Sequence, residues 1–414
     1  MKLKALVQRA YQQEKAFKDA DAQLRGIDEI RGLKVTDVGP GIVNTVLAIR
    51  KPRLIFGKDA KPLDDLNKLH QIMITRIRVR DVSLVLSTNQ GTPDVFARNL
   101  KTYSAQYGAM INGGFFAING FYGLKNNYPV GLHRLNYNSS TGSVKEVITQ
   151  KLDTTHDYFE HEPKELSRPF EGYERHPEID SQLCLKTQTP HSVSSEYGFF
   201  RINRDGSADI ERLSFFQERD DAVFKAYIDS ANYLLSAGPV LVWNNQVTFT
   251  EEKLQEPRYQ FKTVYDRFGS HPGSVPPGTF YHADQCNPRS AIGFNPKGEL
   301  LMVTVKGEED PRKRDGMTLP QFALLMKALG VEKALNLDGG YSACQGVFNN
   351  DKMLTPLFSK KSGRETIIPC AILAKQQTAA AEPDCTKQPE ARPVVDRRGI
   401  KMRKFLLSSG SDSE

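Results

Sequence analysis

Apolar and polar positions recur along this chain in short, distinct patterns, and each pattern predicts an element. From Ile72 to Leu86 apolar residues occupy both parities with one phase slip, which predicts two successive strands with a bend near Arg80 and Asp81. Leu3, Leu6, Ala10, Phe17, Ala20 and Leu24 fall at roughly helical spacing, so residues 1 to about 31 read as an added helix that Gly32 would end. Thr92-Pro93-Asp94 offers an N-cap and a proline at the first helical position, opening a helix that runs to about Tyr107 and stops at Gly108. Tyr197 to Ile210 reads as a hairpin turning at Arg204-Asp205-Gly206. Residues 222–235 read as a helix leading into the strand Ser236 to Trp243, and Asn244-Asn245 turns into a further strand. Arg289 enters a hairpin that turns at Asn295-Pro-Lys-Gly298. Thr318 and Gln321 form a capping-box pattern, Phe322, Leu325, Met326 and Leu329 share one face of the helix that follows, and Gly330 stops it. A last strand covers about Thr366 to Ala374.

Two elements end alike. In Ala334-Leu-Asn-Leu-Asp-Gly-Gly-Tyr-Ser-Ala343 an apolar run rises to a lone acid, Asp338, followed by Gly339 and Gly340. Ala109-Met-Ile-Asn-Gly-Gly-Phe-Phe116 repeats the pattern with Asn112 in the acid's place. Glycine permits φ > 0 and close approach of another molecule, and successive amides can form an anion-binding concavity beside the carboxylate. A plain strand-to-turn junction, or an Asx-turn at Asn112, accounts for the same residues. The recurrence predicts that the two units converge on one site.

Composition narrows the partners. The chain has 414 residues, 39% hydrophobic and 25% charged, which is ordinary for a globular protein. Its formal charge of +7 sets 56 basic against 49 acidic residues, with no Lys/Arg stripe interleaved with aromatics, so nucleic acid is not expected. The mild excess suits anionic substrates. Cys184, Cys286, Cys344, Cys370 and Cys385 are odd in number and contain no Cys-x-x-Cys pair, which speaks for a reducing compartment and against a disulfide framework. Cys344, near Asp338, reads as a small buried residue rather than a nucleophile. There is no 18-residue apolar run, and Gln8 and Arg9 interrupt any apolar signal region. The expectation is no membrane span, and a cytoplasmic location or export without a cleavable signal peptide.

Three segments look peripheral. Residues 150–195 are hydrophilic, and their His156, Glu160, His161 and Glu162 match no standard metal-ligand spacing, so no metal or other cofactor is expected. Residues 252–284 read as a long ordered loop of the kind that serves as a lid. Residues 376–414 have the composition of a disordered tail. The organisation is thus an N-terminal helical extension and lead-in (1–69), a catalytic body (70–375) with insertions at about 150–195 and 252–284, and the tail.

The combination is more specific than its parts. Asn112-Gly-Gly-Phe-Phe116, Pro129-Val-Gly-Leu132, Ser236-Ala-Gly-Pro-Val-Leu241, Pro288-Arg-Ser-Ala-Ile-Gly293 and Asn336-Leu-Asp-Gly-Gly340 occur in that order. Together they resemble the phosphodiester glycosidase family over roughly residues 70–375. The resemblance implies an α+β fold, with a curved mixed or antiparallel sheet core and packed helices. It implies hydrolysis of a glycosyl phosphodiester at the anomeric carbon, with a sugar phosphodiester or glycan as substrate. Asp338 would be the catalytic nucleophile or base, Arg289 would grip the leaving phosphate, and Asn112 would join them. Gly113, Gly114, Gly238, Gly339, Gly340, Tyr341 and Ser342 would bind substrate. Physical chemistry fits this: a phosphate monoester, with a second pKa of about 6, leaves with little protonation, so one carboxylate suffices where ordinary glycosidases use two. A guanidinium fork and glycine amides would stabilise the departing charge. For Arg289, a structural ion pair at a hairpin mouth is the competing reading; for Phe115 and Phe116, core packing is the stronger one. Tyr341 stands where the family pattern has a small residue, and Ala343 where it has Ser or Thr, which points to a different sugar or aglycone. A metal-dependent phosphodiesterase cutting P–O, or a glycan- or nucleotide-binding module without catalysis, are the alternatives.

Overall fold

Long β-forming runs dominate the architecture. The computed structural model describes residues 30–49, 70–88, 108–115, 132–138, 143–148, 197–212, 231–268, 282–307, 316–349, 352–353, 357–358 and 370–376, with single positions at 15, 223, 226, 227, 230, 280 and 368. In chain order the strands are β1 (Ile30–Gly39), β2 (Ile42–Ile49), β3 (His70–Arg78), β4 (Val82–Thr88), β5 (Ala109–Asn112), β6 (Leu132–Asn138), β7 (Ser143–Ile148), β8 (Gly198–Asn203), β9 (Ala208–Arg212) and β10 (Ala231–Ala237). They continue as β11 (Val240–Trp243), β12 (Gln246–Val247), β13 (Arg289–Phe294), β14 (Glu299–Val305), β15 (Lys333–Asn336), β16 (Cys344–Asn349), β17 (Lys352–Met353), β18 (Leu357–Phe358) and β19 (Cys370–Gln376). Among the described residues, the helices with defined bounds are α1 (Phe261–Phe268) and α2 (Leu319–Ala328).

Three sheets result. The largest runs β1-β2-β3-β14-β13-β15-β11-β12, the second β7-β6-β10-β8-β9, and the third β17-β16-β5-β19-β4, with β18 on β16. Pairing among the described strands is antiparallel throughout. The largest sheet is buried on both faces. One face carries Ile72, Ile74, Ala291, Leu301, Val303 and Ala334 against Phe322, Leu325 and Met326 of α2. The other carries Met73, Ile77, Ile292, Met302 and Leu335 against Leu84, Ile111 and Ile372 of the third sheet. This double burial explains why β13 and β14 read as continuous apolar runs rather than alternating ones. Each fully buried Leu, Ile, Val or Phe on these faces contributes roughly 1.5–3 kcal/mol.

Several expectations hold. The bend after β3 is a 3₁₀ turn at Val79–Asp81, and it sends the chain from the largest sheet into the third. The hairpins β8–β9, β11–β12 and β13–β14 form where the turn residues predict, with Asn244 and Asn245 both at positive φ. Thr318 and Gln321 make the reciprocal capping box, and Gly330 leaves α2 at φ +78°.

Others need correction. The molecule is mostly sheet with few helices, where a core with packed helices is expected; of the two pairings expected, the antiparallel one is found among the described residues. Position 15 is helical, but Ile30 to Gly32 already belong to β1, because their register on β2 outweighs a helical continuation. The β1–β2 hairpin makes part of the 1–69 lead-in an integral edge of the largest sheet. Residues 223, 226 and 227 are helical, yet Ala231 to Leu235 are strand, held by β8 and β6. Within the expected lid, 252–268 is built from 3₁₀ turns at Glu251–Gln255 and Pro257–Tyr259 followed by α1. Gln376, expected to begin the tail, ends β19 and bonds to the Val38 carbonyl (2.9 Å), whereas the helix from Thr92 to Tyr107, the 150–195 insertion and the rest of the tail, 377–414, lie outside the described residues.

Candidate active site

The two Gly-Gly turns meet. Asp338 N–H donates to the carbonyl of Gly113 (3.0 Å), joining the end of β15 to the end of β5. Asn112 has no exposed surface, and its amide is committed inward. Its Nδ2 donates to the carbonyls of Asp338 (2.8 Å) and Gly113 (3.2 Å), and its Oδ1 accepts from Cys344 N–H (3.0 Å). Asn112 therefore braces the backbone beneath Asp338 and does not point a polar group outward.

Asp338 itself is half-buried. Its Oδ1 accepts from the N–H of Gly339 (2.9 Å), a local turn bond that orients the carboxylate. Arg289 lies across from it. In the β13–β15 ladder Ala291 opposes Asn336, and Leu337 N–H donates to Ser290 carbonyl (2.8 Å), extending the ladder by one pair. Arg289 opens β13 and Asp338 lies two residues past the end of β15, so the two sit at the same end of this ladder.

Arg289 is buried (5% exposed) and bound by carbonyls. Nε donates to Met317 (2.9 Å), and Nη2 to His282 (2.7 Å) and Gln285 (2.8 Å). These bonds occupy Nε and both Nη2 hydrogens, so the two-nitrogen fork expected for a phosphate is engaged by the protein. Nη1 is the nitrogen turned toward Gly339, about where a Cβ there would lie 3.9 Å away. The turn His282–Gln285, at the end of the expected lid, thus holds Arg289 through its carbonyls. His282 Nδ1–H donates to Gln285 Oε1 (2.7 Å), and the ring stacks on Phe261 (5.2 Å between centroids). Burial, reinforced by the Arg289 charge, holds the imidazole down to about 4 despite the Gln285 bond. Burial raises the Asp284 carboxyl, opposed by the Phe261 N–H and by Arg289.

The glycines do something other than cradle an anion. Gly339 N–H is taken by Asp338, and Gly340 N–H by Pro288 carbonyl (2.9 Å). Gly113 N–H donates to Cys370 carbonyl (2.6 Å), and Gly114 N–H bonds to the Cys370 thiol, which burial pushes up to about 12. All four amides fasten the turns. The absence of Cβ is what matters: one at Gly113 would collide with Cys370 Sγ, one at Gly114 would lie 2.7 Å from Ser236 carbonyl, and Gly340 sits at φ +59°. Gly238 precedes a cis proline, and its carbonyl accepts from Asn336 Nδ2 (2.8 Å). Tyr341 is half-buried and Ser342 buried within a 3₁₀ turn. Cys344 is buried and forms no disulfide, in keeping with a small packing residue. Phe115 packs between both core clusters. Phe116 and Pro129 to Gly131 lie outside the described residues.

Residues 181–366 match the phosphodiester glycosidase family. That segment contains Gly238, Arg289 and Asp338, whereas Asn112 precedes it. Among solved structures, the chain is similar to the zebrafish N-acetylglucosamine-1-phosphodiester alpha-N-acetylglucosaminidase catalytic domain, auto-inhibited by its pro-peptide. Identity is 16%, covering 87% of this chain and 92% of that one, with a TM-score of 0.42. It is similar to a protein of Burkholderia pseudomallei described as exported, at 13% identity over 84% of this chain and 97% of that one, TM-score 0.42. A Synechocystis protein matches at 14% identity over 84% of this chain and 64% of its own, TM-score 0.42. No curated protein matches. Among the described residues no helix of this phosphodiester glycosidase-like chain is long and apolar enough to cross a membrane, and no group of three or more His, Cys, Asp or Glu side chains is gathered for a metal ion.

Proposed function

We propose that this protein hydrolyses a glycosyl phosphodiester at the anomeric carbon, with Asp338 on the sugar side and Arg289 on the phosphate side. The observation that carries the reading is that Arg289 opens β13 and Asp338 follows the end of the neighbouring β15, both within the segment that matches phosphodiester glycosidases. The C1–O bond breaks and its electron pair leaves on the phosphate oxygen. Asp338 either attacks C1, to be displaced by water, or takes the proton of a water that attacks C1 directly. The leaving phosphate monoester needs little protonation near neutral pH, its second pKa being about 6. Arg289 stabilises that charge with its guanidinium, which carbonyl bonds to Met317, His282 and Gln285 hold in place. Tyr341, in the turn directly after the catalytic strand end, shapes which sugar or aglycone is accepted.

The test is turnover of a panel of sugar-1-phosphodiesters, including UDP-sugars, by the wild-type chain and by Asp338→Asn, in water enriched with heavy oxygen. Label in the sugar, with activity lost in the variant, is the expected result. Label in the phosphate would replace C–O cleavage with P–O cleavage. Full activity of Asp338→Asn would remove Asp338 from the chemistry.

A further inference from the structure

Asp338 has two flanks, and their hydrogen-bonding characters are opposite. On the β13 side stands Arg289, a donor only. On the β11 side stand Asn336 and, on β10, Ser236. Both are buried, at 4% and 1% exposure. Asn336 Nδ2 must be the atom facing Gly238, because a carbonyl can only accept, and this fixes Oδ1 on the other side of the amide. Among the described residues Asn336 Oδ1 and Ser236 Oγ have no hydrogen-bond partner, and both are shut off from bulk solvent. Leaving a buried polar atom unmatched is costly, and two such atoms beside one strand end call for a ligand that matches them.

Strand parity puts both on one side. Ala334 and Leu234 pack in one core cluster, while Leu335, Leu337, Leu235 and Ala237 pack in the other. Asn336 and Ser236 share the parity of the first pair, and Asn336 shares that of Asp338. The same side holds an aromatic wall. Continuing the β8–β10 register from Phe199–Ser236 and Gly198–Ala237 sets Tyr197 opposite Gly238. Tyr197 contacts Phe280 (5.4 Å between centroids) and Phe115 (6.4 Å), and Phe115 contacts Phe280 (6.2 Å). Gly114 packs on the Ser236 carbonyl, which ties this flank to the Asn112 turn.

We infer that Ser236 and Asn336 form a sugar-hydroxyl subsite, which fixes the substrate's direction with its glycosyl ring over β10–β11 and its phosphate over β13. A hydroxyl matches both atoms: its hydrogen goes to Asn336 Oδ1, and its oxygen accepts from Ser236 Oγ–H. A phosphodiester oxygen only accepts and would be repelled by Asn336 Oδ1, so the pair excludes the phosphate end from this flank. The aromatic wall suits the C–H faces of a pyranose. This inference rests on the glycosyl phosphodiester reading, but its test needs no turnover.

Binding to the full-length chain is measured by calorimetry, using methyl α-glucoside, methyl N-acetyl-α-glucosaminide, methyl α-mannoside and their monodeoxy analogues, with inorganic phosphate as the comparison probe. At least one glycoside binds. Ser236→Ala weakens it about tenfold, as expected for one buried neutral hydrogen bond, and phosphate affinity stays within about twofold. One deoxy analogue shows the same loss, and Ser236→Ala adds nothing further to it. Ser236→Cys, which keeps the volume and donates weakly, falls between. The inference is overturned if no glycoside binds, if Ser236→Ala and Ser236→Cys bind glycoside as wild type does, or if both weaken phosphate as much as glycoside. Glycoside binding with this pattern but no turnover of any sugar-1-phosphodiester would keep the subsite and sink the hydrolase reading.

Discussion

The two Gly-Gly turns are near copies in sequence and opposites in structure. Asn112 ends β5 with no exposed surface, and its amide is shared among Cys344, Gly113 and Asp338. Asp338, two residues past the end of β15, is half-buried, with its carboxylate held by the amide of its own Gly339. An amide has both donors and acceptors and can knit two chains; a carboxylate only accepts and cannot. Exchanging acid for amide at the same place in the same turn converts a presenting residue into a brace. The recurrence of a motif thus marks a meeting point without making its members equivalent.

The largest expected effect separates the two roles. Asp338→Asn lowers kcat by about a thousandfold or more while leaving the melting temperature within about 2 °C, since the half-buried turn survives the change. Asn112→Ala does the converse. It strands Cys344 N–H and weakens the hold on the Asp338 carbonyl, so chemical denaturation should show a loss of about 2–4 kcal/mol. The kcat of the molecules that remain folded falls far less than in Asp338→Asn. If Asn112→Ala were as stable as wild type, or Asp338→Asn unfolded, the division into presenting group and brace would be wrong.

How much of this the sequence discloses depends on the range of the interaction. Turns, caps and hairpins are local, so Asn244-Asn245, the Thr318 capping box and the β13–β14 hairpin were legible from neighbouring residues. The convergence of Asn112 and Asp338 was legible only because the motif repeats. The β1–β2 hairpin was not: its strands are fixed by pairing with β3, and a sequence window sees no partner. The fate of the glycine amides was hidden for the same reason. Pro288 and Cys370, which receive two of them, lie 52 and 257 residues away. His282 could have been noticed, as His-Ala-Asp-Gln sits just before Asn287-Pro-Arg, but its role as a carbonyl donor to Arg289 is a backbone matter that no side-chain pattern reports.

The third effect tests whether the Arg289 side is as rigid as the Asn112 side. His282 is held neutral in the folded protein, down to about 4 against an ordinary 6.5. As pH falls below about 6.5 the unfolded chain takes up this proton and the folded chain does not. Stability from this group is therefore complete above about pH 6.5 and is lost progressively toward pH 4, by about 2–3 kcal/mol. Asp284, raised by burial, acts in the opposite direction over its own lower range and softens the decline. Denaturation midpoints between pH 4 and 8, compared with His282→Gln, read this out. A variant whose slope equals that of wild type would assign the acid loss to other groups.

The smallest effect compares the two turns at their glycines. A Cβ at Gly113 runs into Cys370 Sγ, with the buried Cys370 carbonyl 3.0 Å behind it, so neither side can yield. A Cβ at Gly339 lies 2.9 Å from the Pro288 carbonyl, and otherwise only 3.8 Å from Arg289 Cδ and 3.9 Å from Nη1. Gly113→Ala should therefore destabilise by about 2–3 kcal/mol and Gly339→Ala by about 1 kcal/mol. The readouts should also divide. Gly113→Ala acts through folding, and Cys370→Ala in the same chain recovers part of the loss by removing the sulfur. Gly339→Ala crowds Arg289 Nη1, so its kcat/KM for a charged phosphodiester drops while affinity for a neutral methyl glycoside stays as in wild type. Equal losses for both ligands would mean that Gly339 supports the turn in the same way as Gly113, and that only the carboxylate distinguishes the two units.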